Sequence, residues 1–189
     1  SDEIYERIVF DGRPHVPMAS LPGMADRTVT TGGLSKTYSV TGWRIGWAIS
    51  PAALTGGIRK IHDFLTVAAP TPFMDAGVVA LSMPPESYTA LAADYQAKRD
   101  LMLEILARHG FTTYRPGGAY YVIADVEKFG FDTDTEFALH LVKDVGVATV
   151  PGSSFYIDPA SAPKTVRFCF SKRTETLLEA DRRLARLSR

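Results

Sequence analysis

Lys36 stands in the stretch TTGGLSKTYSVTGWRIGW, residues 30–47, where its neighbours are Ser35, Thr37, Tyr38, Ser39 and Thr41, hydroxyls rather than carboxylates. An amine in such surroundings is a candidate for a lowered pKa and for Schiff-base chemistry with a carbonyl. Gly32 and Gly33 precede it and permit the close backbone approach that a ligand packed against the chain requires. A lysine in a polar loop is otherwise simply solvated, and that remains the plain alternative. Arg44 adds a condition of distance. Eight residues fully extended reach roughly 26–29 Å, so Lys36 and Arg44 serve one small molecule only if the loop folds back, and Thr41-Gly42 supplies the turn. A guanidinium so placed suits a phosphate, which it grips with two hydrogen bonds. A surface ion pair is the ordinary alternative for an arginine at the start of a strand.

These side chains must be carried by regular elements. RTVTT, residues 27–31, reads as a short strand running into Gly32, and WRIGWAIS, residues 43–50, as a second one stopped by Pro51, so the lysine lies on the connection between two strands. AALTGGIRKIHDFL and TPFMDAGVVALSM read as helices, the first weakened by Gly56 and Gly57. Pro85, apolar positions at three- and four-residue spacing, and a closing glycine define one long helix over residues 85–109. About 25 residues at 1.5 Å each span roughly 37 Å, enough to join two domains. Beyond it come a strand AYYVIADV, a helix around DTEFALHLVKDV, a strand GVATVPG, a strand TVRFCFS and a C-terminal helix with basic residues toward its end. The expected organisation is an α/β portion over residues 1–84, the long inter-domain helix over 85–109, and a small α+β domain over 110–189. A parallel sheet needs helices on both faces, and the first portion has too few strands and helices to provide that, so it reads as incomplete.

The composition narrows the setting. Of 189 residues, 46% are apolar and 22% charged, as in a packed soluble protein. Lys plus Arg (21) balances Asp plus Glu (21), so net charge asks for neither a nucleic acid nor an acidic membrane as partner. Cys169 is the single cysteine, so no intrachain disulfide can form and a reducing compartment is expected. No run reaches the roughly 18 to 20 apolar residues of a membrane span, and SDEIYERIVF lacks the layout of a signal peptide. The expected location is the cytoplasm. His15, His62, His109 and His140 show no metal-ligand spacing, and no metal site is expected.

SDEIYE, GGLSKTYSVTGWRIGW, RPGGAYYVIADV, VATVPGSSFY and VRFCFS follow one another in this order over nearly the whole chain. Together they resemble the C-terminal half of a class I/II aminotransferase, the aspartate-aminotransferase-like enzymes of pyridoxal 5′-phosphate (PLP) fold type I. The resemblance implies an α/β fold: the C-terminal part of a PLP-binding large domain plus the small α+β domain. It implies that Lys36 is the catalytic residue, joined to pyridoxal 5′-phosphate as a Schiff base and moving a proton between the amino acid Cα and the cofactor C4′. Arg44 would hold the phosphate, and Asp2 would pair with the pyridinium nitrogen, a carboxylate there favouring the protonated ring that serves as an electron sink. Tyr5 would donate to the ring hydroxyl oxygen, and Arg167 would bind the substrate α-carboxylate as a fork-to-fork pair. Without the lysine motif, Asp2 would read as a cap or turn residue. Tyr120, Tyr121, Phe155 and Tyr156 fall in regions that approach the site in similar enzymes. Tyr120 is taken as the substrate contact, with sheet-core packing the alternative for each of these aromatics. Many relatives carry a phosphate-binding serine three residues before the lysine; Gly33 stands there in this chain, so Ser35 or an upstream group is expected to compensate.

The implied activity is transfer of an amino group from an L-amino acid to a 2-oxo acid. Asp2 already matches a cofactor contact, whereas similar enzymes have roughly two hundred residues before it, supplying a phosphate-cradling helix N-terminus, a ring-stacking aromatic and an asparagine. The chain is therefore expected to be a fragment, a split enzyme or a truncated piece, inactive alone, with the missing N-terminal half and a second subunit of a homodimer as its partners. Carbon–sulfur β-lyases share this lysine, aspartate and arginine set, and aminotransferase-like domains also occur in non-enzymatic transcriptional regulators; both stay open as alternatives. GGAYYV and PGSSFY suggest a pocket for apolar or aromatic amino acid side chains.

Overall fold

Thr30–Gly33 (β1) and Gly46–Ile49 (β2) pair antiparallel, Gly32 opposite Trp47 and Gly33 opposite Gly46, in a computed structural model that describes residues 1–188. The first strand begins later than the pattern RTVTT suggests. Arg27 closes a 3-10 turn (Ala25–Arg27), and the Thr28 hydroxyl donates back to the Met24 carbonyl at 2.8 Å, so both residues belong to the turn. The N-terminal segment adds a third track that carried no strand signal. Asp2 bridges Thr31 in the parallel sense, with the Glu3 amide on the Thr31 carbonyl and the Thr31 amide on the Ser1 carbonyl, each 2.8 Å. This pairing sets Asp2 beside the strand that leads to Lys36.

Two helices follow, α1 (Ala52–Leu65) and α2 (Thr71–Leu81). Proline in the first turn of α2 costs no hydrogen bond, since that amide would be unpaired in any case. Neither helix is buried in the usual way: α1 has no buried residue and α2 only Gly77, leaving Ile61, Phe64, Leu65, Val78 and Val79 exposed. Two contacts fix α2. Phe73 stacks on Trp43 with ring centroids 4.8 Å apart, and the backbone at Gly77 comes close to the Leu34 side chain. Leu34, Ile8 and Phe10 form the small core of the first compact unit, Ser1–Ala92. Burial of Leu34 stabilises it by about 1.5–3 kcal/mol.

Helix α3 (Pro85–Arg108) begins in this unit and continues into the second, which starts at Ala93. It stops where Gly110 adopts a left-handed φ of 82° and the Phe111 amide bonds back to the Leu106 carbonyl, a glycine C-cap. The second unit holds β3 (Thr112–Tyr114), β4 (Tyr121–Asp125), α4 (Asp134–His140), β5 (Val150–Pro151), β6 (Thr165–Cys169) and α5 (Thr174–Leu184). Its strands form one antiparallel sheet in the order β3-β4-β6-β5.

Strand alternation divides that sheet into two faces. Val122, Ala124, Val166, Phe168 and Phe170 are buried together with Met102, Ile105, Phe137, Leu141, Leu177 and Leu184 from the helices. Phe111 meets Phe168 edge-on at 5.3 Å and Phe137 at 6.1 Å within this core. Tyr121, Ile123 and Arg167 lie on the opposite face, half-buried. The strand expected over residues 146–152 shrinks to Val150–Pro151. A π-helical turn, Leu141–Val145, ends at Gly146 with φ 85°, and the Val147 amide bonds to the Leu141 carbonyl at 2.8 Å, which removes it from any ladder. No helix among the described residues is long and apolar enough to cross a membrane.

Candidate functional site

The lysine turn is pinned at its start. Leu34 is buried and its amide donates to the Ile45 carbonyl at 3.1 Å; the Tyr38 amide then closes the turn on the Leu34 carbonyl at 3.1 Å. Two further bonds fold the spacer to Arg44 back on itself. The Thr41 hydroxyl donates to the Ser35 carbonyl at 3.0 Å, and Arg44 Nη1 donates to the Thr41 carbonyl at 2.9 Å. Arg44 follows a 3-10 turn (Thr41–Trp43) and adopts φ 56°, a left-handed conformation that costs a non-glycine residue about 1–2 kcal/mol. The surrounding bonds hold it there.

The outcome is one cavity of about 330 Å³ lined by Asp2, Ser35, Lys36 and Arg44, with Gly32 and Gly33 beside them. Asp2 is exposed, and its Oδ1 accepts the Ile4 amide at 3.2 Å, so it closes a local turn as well as facing the cavity. Tyr5 is half-buried on the next turn, its carbonyl accepting the Ile8 amide at 2.9 Å, and is not among the lining residues. A carboxylate, an amine, a guanidinium and a hydroxyl-bearing serine around one small hollow can bind an anionic group and a protonated ring nitrogen.

Gly33 is held by close contact. A Cβ there would stand 2.8 Å from the Ile45 carbonyl oxygen and 3.3 Å from Ile4 Cδ1. A serine at this position therefore requires β2 to move. Gly33→Ser is expected to lower stability by about 1–3 kcal/mol through overpacking, read as a lower denaturant midpoint; an unchanged midpoint would mean that the hairpin yields freely. Next to the cavity segment, buried Glu3 accepts His15 Nε2 and the Met18 amide, both at 2.9 Å. The His15 bond holds its carboxyl below the usual range, against the opposite pull of burial. His109 and His140 bond Asp181 and Asp144 at 2.7 and 2.8 Å.

In the second unit, Arg167 on β6 pairs with Ile123 of β4. Its guanidinium carbon lies 4.1 Å from the centre of the Tyr121 ring and 4.6 Å from that of Phe155, contacts worth about 0.5–2 kcal/mol. Arg167 lines a cavity of about 420 Å³ with Tyr114, Ile123, Phe155 and Tyr156. A planar cation in an aromatic surround suits a carboxylate carried on an apolar body. Tyr120 is buried and stacks on Tyr95 at 5.7 Å, in the core and away from this cavity. Tyr114 carries no sequence signal, because β3 is three residues long, too short to show a period.

Residues 1–184 match the aminotransferase class I and II family, and the chain belongs to that family, whose members use PLP. It is 39% identical to the probable N-succinyldiaminopimelate aminotransferase of Mycobacterium tuberculosis over 100% of this chain and 49% of that protein. It is 37% identical to the kynurenine–oxoglutarate transaminase of Dictyostelium discoideum over 100% of this chain and 48% of that protein. A solved Escherichia coli structure with a methionine aminotransferase function matches with a TM-score of 0.91 and 35% identity, over 98% of this chain and 48% of that one. The chain spans about half the length of the curated relatives it matches.

Proposed function

We propose that the complete protein is a PLP-dependent aminotransferase that moves an amino group from an L-amino acid to a 2-oxo acid. This chain would supply the C-terminal part of the large domain and the small α+β domain. One observation carries the reading: Asp2, Ser35, Lys36 and Arg44 line a single cavity. That donor set fits the cofactor. The Arg44 guanidinium and the Ser35 hydroxyl suit its phosphate, and the Asp2 carboxylate favours the protonated ring nitrogen. Lys36 would hold the cofactor carbonyl carbon covalently and, once released, carry a proton to and from the substrate Cα. Tyr5 would donate to the ring hydroxyl. When bound, PLP supplies the electron sink that makes this proton removable.

Arg167 would take the α-carboxylate common to the amino acid and the oxo acid. Tyr121 and Phe155 stack on its guanidinium, and Tyr120 supports Tyr121 from the core, their rings 4.7 Å apart. Apolar and aromatic lining at Ile123, Phe155 and Tyr156 supports substrates with apolar or aromatic side chains; relatives named for kynurenine and methionine are consistent with that class, whereas the one named for N-succinyldiaminopimelate acts on a long, anionic side chain. The rest of the cofactor site and the cover for the exposed apolar residues of α1 and α2 would come from the remaining half of the same protein and from a second subunit, in the cytoplasm.

The test is to load the complete protein with pyridoxal phosphate, reduce it with borohydride and map the labelled peptide. The expected result is a pyridoxyl adduct on Lys36, with amine transfer that depends on an added 2-oxo acid. An adduct elsewhere overturns the site. Stoichiometric pyruvate from cystathionine without any amino acceptor overturns the reaction in favour of a β-lyase.

A further inference from the structure

Tyr88 lies in the first turns of α3, within the first compact unit. Its hydroxyl is 2.7 Å from that of Tyr38, and the two rings meet edge-on at 6.3 Å. Tyr38 is two residues beyond Lys36 and closes the lysine turn through its amide on the Leu34 carbonyl. On its other side, the Tyr88 ring receives the Arg7 guanidinium, whose carbon is 4.6 Å from the ring centre. Arg7 belongs to the segment that carries Asp2 and Tyr5. A single side chain therefore touches both chain segments whose residues converge on the Lys36 cavity, and it does so from outside, since neither Tyr38 nor Tyr88 lines that cavity. Both tyrosines face a separate hollow of about 360 Å³ with Met83 and Leu91.

The turn has reason to need an external strut. It passes through Ser39 at φ 57°, and the Ser39 amide reaches the Lys36 carbonyl only at 3.4 Å. On the cavity side, the Thr41–Ser35 bond restrains it; on the far side, the Tyr38–Tyr88 bond does. Burial, reinforced by the Tyr88 bond, pushes the Tyr38 hydroxyl well above its ordinary range, so Tyr38 stays a neutral partner in this pair through physiological pH. An amine that must both hold a cofactor and move a proton has to be placed to within about 0.5 Å.

We infer that Tyr88 is a positioning residue that keeps the Lys36 turn and the Asp2 segment in fixed register, and thereby sets the rate of the step Lys36 performs without affecting substrate affinity. The inference rests on the assignment of Lys36 proposed above. Two variants separate the contacts. Tyr88→Phe keeps the ring for Arg7 and loses the hydroxyl; Tyr88→Leu loses both. In the complete, cofactor-loaded protein, Tyr88→Phe is expected to speed hydrogen exchange at residues 36–39 roughly 3- to 10-fold, the equivalent of one hydrogen bond, with residues 3–8 unchanged. Tyr88→Leu is expected to speed both segments. The kcat should fall by a similar factor with KM for the amino donor unchanged. Tyr38→Phe should reproduce the Tyr88→Phe result, and the double variant should add nothing. Unchanged exchange at 36–39 in Tyr88→Phe overturns the positioning role, and a rise in KM in place of a fall in kcat overturns its link to the Lys36 step. If the borohydride adduct of the unaltered protein maps away from Lys36, the site assignment fails, while the exchange result still decides whether Tyr88 holds the turn.

Discussion

Replacing Lys36 with alanine in the complete, cofactor-loaded protein is expected to reduce amine transfer by at least about 10⁴-fold, because in the proposed site one side chain supplies both the covalent anchor and the mobile base. Stability should change little. The turn is held by its neighbours: Leu34 on the Ile45 carbonyl, Tyr38 on the Leu34 carbonyl and Thr41 on the Ser35 carbonyl. Single-turnover transfer and thermal unfolding measured on the same preparation check both halves of this expectation. Retention of more than a few per cent of the rate in Lys36→Ala would assign the base to another residue.

Arg167→Leu is expected to raise KM for amino donor and oxo acid acceptor alike, by an amount corresponding to about 2–4 kcal/mol of lost charge-assisted pairing. The two substrates should suffer together because they share the carboxylate and differ at the neighbouring carbon. Arg167→Lys should recover only part of the loss, since an ammonium keeps the charge but not the planar fork. The sheet should survive both changes: Arg167 points away from the face that packs Val166 and Phe168. KM values for both substrates provide the check, and a change confined to one of them would place the arginine at a side-chain subsite.

The parts of this fold that could be read in the sequence are those whose signals are local. Glycine and proline punctuation marks the two strands flanking Lys36 and both ends of α3, and a two-residue period marks β4 and β6. What could not be read depends on partners distant in sequence. The parallel bridge between Asp2 and Thr31 spans most of thirty residues and leaves no periodic trace, and the Tyr38–Tyr88 bond joins side chains 50 positions apart. The strand expected over residues 146–152 loses its first four residues for a local reason, since the Leu141 carbonyl takes the Val147 amide. At the Tyr120-Tyr121 pair, parity along β4 decides which ring faces Arg167. Buried Val122 and Ala124 define the core face of β4, which sends Tyr121 to the Arg167 side, while Tyr120 packs on Tyr95.

That parity also separates what the second unit can change from what it must keep. Along β4, buried Val122 and Ala124 alternate with Tyr121 and Ile123 on the Arg167 side, and Tyr156, just beyond the 3-10 turn Gly152–Phe155, joins the same hollow while exposed, so a mutation at Ile123 or Tyr156 alters the hollow without removing a buried core side chain. Selection for a new amino acid side chain can then proceed by single substitutions that leave folding intact. If Arg167 holds the carboxylate as proposed, that grip is retained while the pocket drifts, a division of labour that lets one scaffold diversify without passing through unfolded intermediates in its history.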